Sequence, residues 1–185
     1  KPSSSGKPLT MGYDTNGEAE NLFQDNNKLE TLNLNREIIY TLGESSIDTN
    51  SEGLFGGMPT LTSVTLGDQV KTLHKYMFAG SGITELTIPE TLNTIGNNVF
   101  DGCEKLTTLT IDPSSTNEPL TLGFNAGVTD SSVDSEGPFY DTALSKLTLN
   151  RQINYPFNNW MIASSSDGAF AVSKSGSLKE ITLGD

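Results

Sequence analysis

The chain is poor in the residues that most site chemistry requires. Its 185 residues hold one Cys, one His, one Trp and two Arg, Arg36 and Arg151. A lone thiol, Cys103, closes no intramolecular disulfide, so cysteine usage neither requires nor forbids an oxidising compartment. Nucleophilic catalysis needs a Ser, Cys or Thr beside a base and an orienting group. The single imidazole, His74, sits at a turn position and is expected to be exposed. Cys103 lies further along the chain at a packing position and is expected to be a buried structural thiol. No catalytic residue is expected, and the chain is read as a non-enzyme. Positive charge is scarce too: 11 Lys and Arg face 23 Asp and Glu, for a net charge of −12. Such a surface repels phosphate backbones and anionic lipid, which excludes nucleic acid and bare membrane as expected partners. No apolar run approaches the roughly 18 residues of a membrane-spanning helix, so no direct membrane insertion is expected. There is no CxxC or HExxH spacing and no phosphate-cradling glycine loop, so neither a metal nor any other cofactor is expected. The opening KPSSSGKP has no initiating Met and no signal sequence. A mature or trimmed chain is therefore expected, with any export signal or anchor outside it.

What the chain has in quantity is one short pattern, a Phe followed by three aliphatics. Phe23 precedes Leu29, Leu32 and Leu34; Phe55 precedes Leu61, Val64 and Leu66; Phe78 precedes Ile83, Leu86 and Ile88. Phe100 with Leu106, Leu109 and Ile111, Phe139 with Leu144, Leu147 and Leu149, and Phe170 with Leu178, Ile181 and Leu183 continue it. The spacing from Phe55 to Phe78 to Phe100 falls inside the roughly 20 to 29 residues of a leucine-rich repeat. The predicted fold is a right-handed leucine-rich repeat solenoid of the horseshoe class, β-dominated, with short parallel strands, turns and little helix. With 34% hydrophobic residues there is enough apolar material for one continuous core shared between neighbouring coils.

Residues 83–105, ITELTIPETLNTIGNNVFDGCEK, give the clearest coil. Leu86-Thr87-Ile88 alternates apolar, polar, apolar, which is a short strand with Thr87 outside. Pro89 stops the strand, Leu92 and Ile95 turn into the core on the opposite wall, Gly96 supplies a turn, and Phe100 wedges between coils. Stacking places the exposed middle residues in a row: Asn33, Thr65, Thr87, Thr110, Thr148 and Thr182. A second row of mixed charge lies two residues earlier, at Thr31, Ser63, Glu85, Thr108, Lys146 and Glu180. Asn33, Thr65, Glu85, Thr87, Thr110, Lys146, Thr148, Glu180 and Thr182 are the candidate binding residues of a concave face.

A long duplication interrupts the regular spacing. Residues 8–68 and 119–185 share PLTMG and PLTLG, LNREIIY and LNRQINYPF, and a closing TLGD, around two regular coils in 69–118. A single domain is expected over 1–185, with 1–7 as a flexible lead. Arg36 and Arg151 occupy the same place in the two copies. Each is expected to tie its strand exit to a carboxylate or to carbonyls of the following insertion, for which a planar guanidinium is suited. Three acidic stretches, 14–20, 48–52 and 130–136, read as solvated insertions, with calcium binding as the alternative; none matches the EF-hand ligand order. In the second insertion Tyr155, Pro156, Phe157 and Trp160 cluster. Tyr155 and Trp160 are candidate residues for stacking on a sugar or anchoring a protein, the alternative being that Phe157 and Trp160 cover the open side of the coil.

The segments LTSVTLGDQVKTLHKYMFAGSGITELTI and ITELTIPETLNTIGNNVFDGCEKLTTLTI resemble the BspA-like leucine-rich repeat family of bacterial surface proteins, whose motif runs LxxLxIPxxxxxIGxxAFxGCxxL. LNREIIY and LNRQINYPF resemble its Bacteroides-type variant. The chain departs from the motif at His74, Asn35 and Asn150, where Gly is usual. The resemblance implies export, a cell-surface or secreted location, and adhesion to host or matrix proteins. A carbohydrate-binding module working through the Trp160 loop and a structural spacer are the alternative readings.

Overall fold

The computed structural model describes residues 7–11, 23, 26–39, 53–123, 137–154 and 178–184. Among them are twelve short strands and no helix. In chain order these are β1 (Leu9–Thr10), β2 (Thr31–Leu34), β3 (Ile38–Ile39), β4 (Ser63–Leu66), β5 (Thr72–Leu73) and β6 (Glu85–Ile88). There follow β7 (Thr94–Ile95), β8 (Thr108–Ile111), β9 (Leu120–Leu122), β10 (Lys146–Leu149), β11 (Ile153–Asn154) and β12 (Glu180–Leu183). The even-numbered strands form a front wall and the odd-numbered ones a back wall, and every pairing is parallel. The alternation in the sequence explains the front wall directly. Leu86, Ile88, Leu109 and Ile111 point inward and are buried, while Glu85 and Thr87 point out.

A third wall is built from turns around the phenylalanines. Ring centroids are 5.2 Å apart from Phe23 to Phe55, 5.6 Å to Phe78, 5.8 Å to Phe100 and 5.3 Å to Phe139, all stacked. The wedge of the repeat motif is thus one continuous aromatic ladder. The residue two beyond each of the last four rings has a left-handed backbone: φ is 66° at Gly57, 67° at Gly80, 67° at Gly102 and 50° at Asp141. Gly adopts that region freely and Asp tolerates it. These turns hydrogen-bond onward, Phe78 N to Val99 O and Gly80 N to Asp101 O, and in the next coil Phe100 N to Pro138 O and Gly102 N to Tyr140 O. The three walls enclose one apolar core running from Leu34 to Leu147, in which Leu73, Ile95, Phe78, Phe100 and Phe139 are fully buried. Each such side chain contributes about 1.5–3 kcal/mol by leaving water. Phe170 lies outside the described residues.

The walls are not continuous throughout. The front wall divides into β2-β4 and β6-β8-β10-β12, and the back wall into β1-β3 and β5-β7-β9-β11. One coil therefore belongs to both parts, since β4 pairs backward and β5 pairs forward. A proline stands at the front break. At the paired junctions the residue just past the strand donates to the last strand carbonyl of the coil before it. Gly67 bonds Leu34, Asp112 bonds Ile88, Asn150 bonds Ile111 and Gly184 bonds Leu149. At the junction of β4 with β6 that position is Pro89, which has no N–H to give. The other end of the ladder is also missing there. Glu30, Thr107 and Ser145 carbonyls each accept two amides from the next coil and Thr84 accepts one, from Thr107, whereas Thr62 accepts none from Thr84 or Glu85. On the back wall a side chain bridges the break: the Glu37 carboxylate accepts from the Lys71 and Thr72 amides, the latter at 3.2 Å.

Two arginines clasp the back wall in equivalent ways. Arg36 Nε donates to Lys7 O at 2.8 Å and Nη2 to Pro8 O. Arg151 Nε donates to Glu118 O at 2.6 Å and Nη2 to Pro119 O, so the duplicated Pro-Leu-Thr segment is held by the duplicated arginine. Arg151 reaches further, with Nη1 on Glu90 O and Leu92 O and Nη2 near Asn93 Oδ1. Burial draws its pKa down and the nearby Glu118 and Glu90 oppose that. The acceptors are carbonyls, as the sequence leads one to expect. Those among the described residues lie on the entry to the preceding back-wall strand, because the guanidinium points back along the stack; the following insertions lie outside the described residues. Asn35 and Asn150 also repeat. Each side chain covers a glycine of the next coil, Gly67 and Gly184, where any Cβ would collide with it.

Candidate interaction face

The two rows read from the sequence come together in register on the front wall. Asn33 stands beside Thr65 across β2 and β4. Glu85, Thr108, Lys146 and Glu180 form one line across β6, β8, β10 and β12, and Thr87, Thr110, Thr148 and Thr182 form the other. All nine candidate residues are at least partly exposed. This follows from strand pleat: when every coil contributes a strand in parallel and in register, side chains at one position make a line along the stack. Electrostatically the face is uneven. At its far end Lys146 Nζ lies 3.6 Å from Glu180 Oε2, and an exposed pair of this kind contributes at most about 1 kcal/mol.

The face is not flat. A groove of about 680 Å³ lies over β4, β6 and β8. Thr65, Thr87 and Thr110 line it with hydroxyls, Glu85 and Asp112 bring carboxylates, and the strand segments at Val64, Leu66 and Leu86, whose side chains turn toward the core, form its floor. Among the described residues no Lys, Arg or His lines it. It coincides with the front-wall break, where the strands run side by side without ladder hydrogen bonds. Of the nine candidate residues, four line this groove: Thr65, Glu85, Thr87 and Thr110. Asp112 and this floor were not singled out by the sequence. The signal for Asp112 is its place one residue past a strand, the position that Pro89 holds in the coil before.

The titratable groups do not assemble a reactive centre. Cys103 is fully buried, with Sγ 3.3 Å from Ser81 Oγ and 3.2 Å from Phe78 O, and burial pushes its thiol up to about 11. That is a packing thiol, as the sequence indicates. His74 differs from expectation. It is half-buried against the preceding coil, where burial lowers its pKa while Glu37 and a hydrogen bond to the Ile38 backbone raise it. The turn position is covered because the coil of β3 packs over it. Asp101 is buried beside the Phe100 turn, and desolvation raises its pKa to about 6, with Asp141 adding to the rise and hydrogen bonds from Asn98 and Gly102 opposing it. Among the described residues no group of three His, Cys, Asp or Glu is placed to hold a metal, and no helix is long and apolar enough to cross a membrane. Tyr155 and Trp160, and the acidic stretches 14–20, 48–52 and 130–136, lie outside the described residues.

A family model of the BspA type leucine rich repeat region matches residues 22–119 with 6 copies. The chain belongs to the BspA-type leucine-rich repeat family. The stacked parallel strands and the aromatic ladder are the physical form of that repeat. Among solved structures, a leucine rich cell surface protein from Faecalibacterium prausnitzii A2-165 is similar, at 18% identity and a TM-score of 0.40, over 89% of this chain and 44% of that one. The chain thus spans less than half the length of that relative. No curated protein matches the chain.

Proposed function

We propose that this BspA-type repeat is a non-catalytic, cell-surface or extracellular binding module, one repeat domain over 1–185 that engages host or matrix proteins through its front wall. One observation carries the reading: two rows of polar and charged side chains stand in register across successive coils, on a face that the core does not use. Solenoids bind through such extended faces, and an array of exposed hydroxyls and charges supplies hydrogen bonds and electrostatic register at low cost in desolvation. Family kinship supports the placement outside the cell. The catalytic alternative finds no support in the chemistry of Cys103 or His74, which are apart and differently engaged.

The test is binding of the purified chain to immobilised matrix proteins and to a glycan array, each at low and high salt. Saturable, salt-sensitive binding to a protein, weakened by substitutions at Glu85 or Lys146, is the expected result. Binding to glycans alone, abolished by loss of Trp160, would replace this reading with the carbohydrate one. Silence on both surfaces would leave the spacer.

A further inference from the structure

From the groove over the front-wall break we infer the partner's chemistry: an extended protein segment bearing lysine or arginine lies across β4, β6 and β8 with its cationic side chains at Glu85 and Asp112. This deepens the front-wall reading and rests on it.

Three observations converge on the site. First, the groove is the place where the front wall has lost its ladder. The alternation fixed by Ser63 N on Glu30 O and Gly67 N on Leu34 O turns the backbone groups of Ser63, Thr65 and Gly67 toward β2. Those of Val64 and Leu66 therefore face the break. By the same alternation, Asp112 N on Ile88 O turns the intervening Glu85 and Thr87 toward the break from the other side. Backbone groups with no strand partner favour a ligand that carries its own backbone donors and acceptors.

Second, the lining is of two kinds. The threonine hydroxyls at 65, 87 and 110 are donors and acceptors at successive coils, suited to an extended chain, while Glu85 and Asp112 add carboxylates on the same face.

Third, the charge is one-sided. Glu85 and Asp112 line the groove with no cation among the described lining residues, on a chain whose net charge is −12. At the far end of the same face Lys146 already meets Glu180, so the requirement for external positive charge is local to the groove.

The experiment uses the whole chain and two synthetic probes, a short extended peptide alternating lysine with threonine and its glutamate counterpart, titrated at low and high salt. The lysine peptide is expected to bind and the glutamate peptide not, with binding weakened by salt. The double variant Glu85→Gln/Asp112→Asn, both exposed or half-exposed positions, is expected to melt as the parent does and to bind the lysine peptide about tenfold more weakly. Lys146→Gln/Glu180→Gln, outside the groove, is expected to bind it as the parent does. Equal binding of the two peptides, or undiminished binding by the groove variant, overturns the inference. A matrix protein bound equally by parent and groove variant would also overturn it while leaving the front-wall reading intact. If no matrix protein binds but the lysine peptide still requires Glu85 and Asp112, the groove stands and the adhesion reading falls.

Discussion

The junction of β4 with β6 and that of β6 with β8 are made from the same repeat and differ in one wall. Both have the stacked phenylalanines, at 5.6 Å for Phe55 and Phe78 and 5.8 Å for Phe78 and Phe100. Both have the same backbone bonds on the turn wall, Phe55 N to Met77 O at 2.9 Å and Phe78 N to Val99 O at 3.0 Å. Only β6 and β8 have the front ladder, with Asp112 closing it where Pro89 cannot. The comparison separates two jobs. Stacking of apolar side chains holds neighbouring coils together, whereas the ladder shapes the exposed face. A solenoid that loses the second at one junction keeps its core and gains a groove.

The largest effect should come from removing the stacking where the ladder is already absent. Phe78→Ala is expected to cost about 3–5 kcal/mol, the usual range for a buried phenylalanine. Because the front ladder is absent on one side of Phe78, leaving only the back-wall and turn-wall bonds, chemical unfolding of that variant is expected to show two transitions. Phe100→Ala, at a fully paired junction, is expected to cost as much but to unfold in one. A single transition in both would erase the distinction.

Next come the arginine clasps, which sharpen the comparison between the duplicated halves. Arg151→Lys leaves one buried and several part-buried carbonyls short of donors and is expected to cost about 2–3 kcal/mol. Arg36→Lys, which loosens bonds to two exposed carbonyls, is expected to cost under about 1 kcal/mol. Urea denaturation of both variants measures the difference, and equal costs would contradict it.

Asp101 tests the turn wall between coils. Its folded pKa of about 6 is raised above the ordinary 3.8, so the fold favours the protonated form. The stability this group contributes is present below 3.8 and is lost as pH rises through about 6. Asp101→Asn, which keeps an acceptor for Asn98, is therefore expected to raise the melting temperature at pH 7.5 and to leave it nearly unchanged at pH 4. A melting difference independent of pH would show that the carboxyl does not titrate in this window. The smallest change is expected from Pro89→Asn, which restores the missing N–H. The hydrogen bond gained and the proline rigidity lost nearly offset, for a net stabilisation within about 1 kcal/mol.

Much of this was legible in the sequence, for identifiable reasons. Leu86-Thr87-Ile88 and its counterparts alternate, so the strands, their inward residues and the register of the two rows follow from pleat and repeat alone. Phe55, Phe78 and Phe100 recur at the repeat period and form the ladder of rings. What was not legible depends on partners without a side-chain signature. The arginines could be matched by position, but their acceptors are backbone carbonyls, which every residue carries. His74 reads as an exposed turn until the coil of β3 is laid over it. Pro89 reads as a strand stop; only the amides of Gly67, Asp112, Asn150 and Gly184, aligned in space, show which hydrogen bond it removes. The groove and Asp112 follow from that same alignment.

Amide hydrogen exchange across the front wall tests the central claim most directly, that the face is open between β4 and β6. The amides of Val64, Leu66, Glu85 and Thr87, which turn toward the break, are expected to exchange markedly faster than those of Thr108 and Thr110, which turn into the ladder with β6. Equal protection at all six positions would mean one uninterrupted front sheet, and would contradict both the break and the groove built upon it.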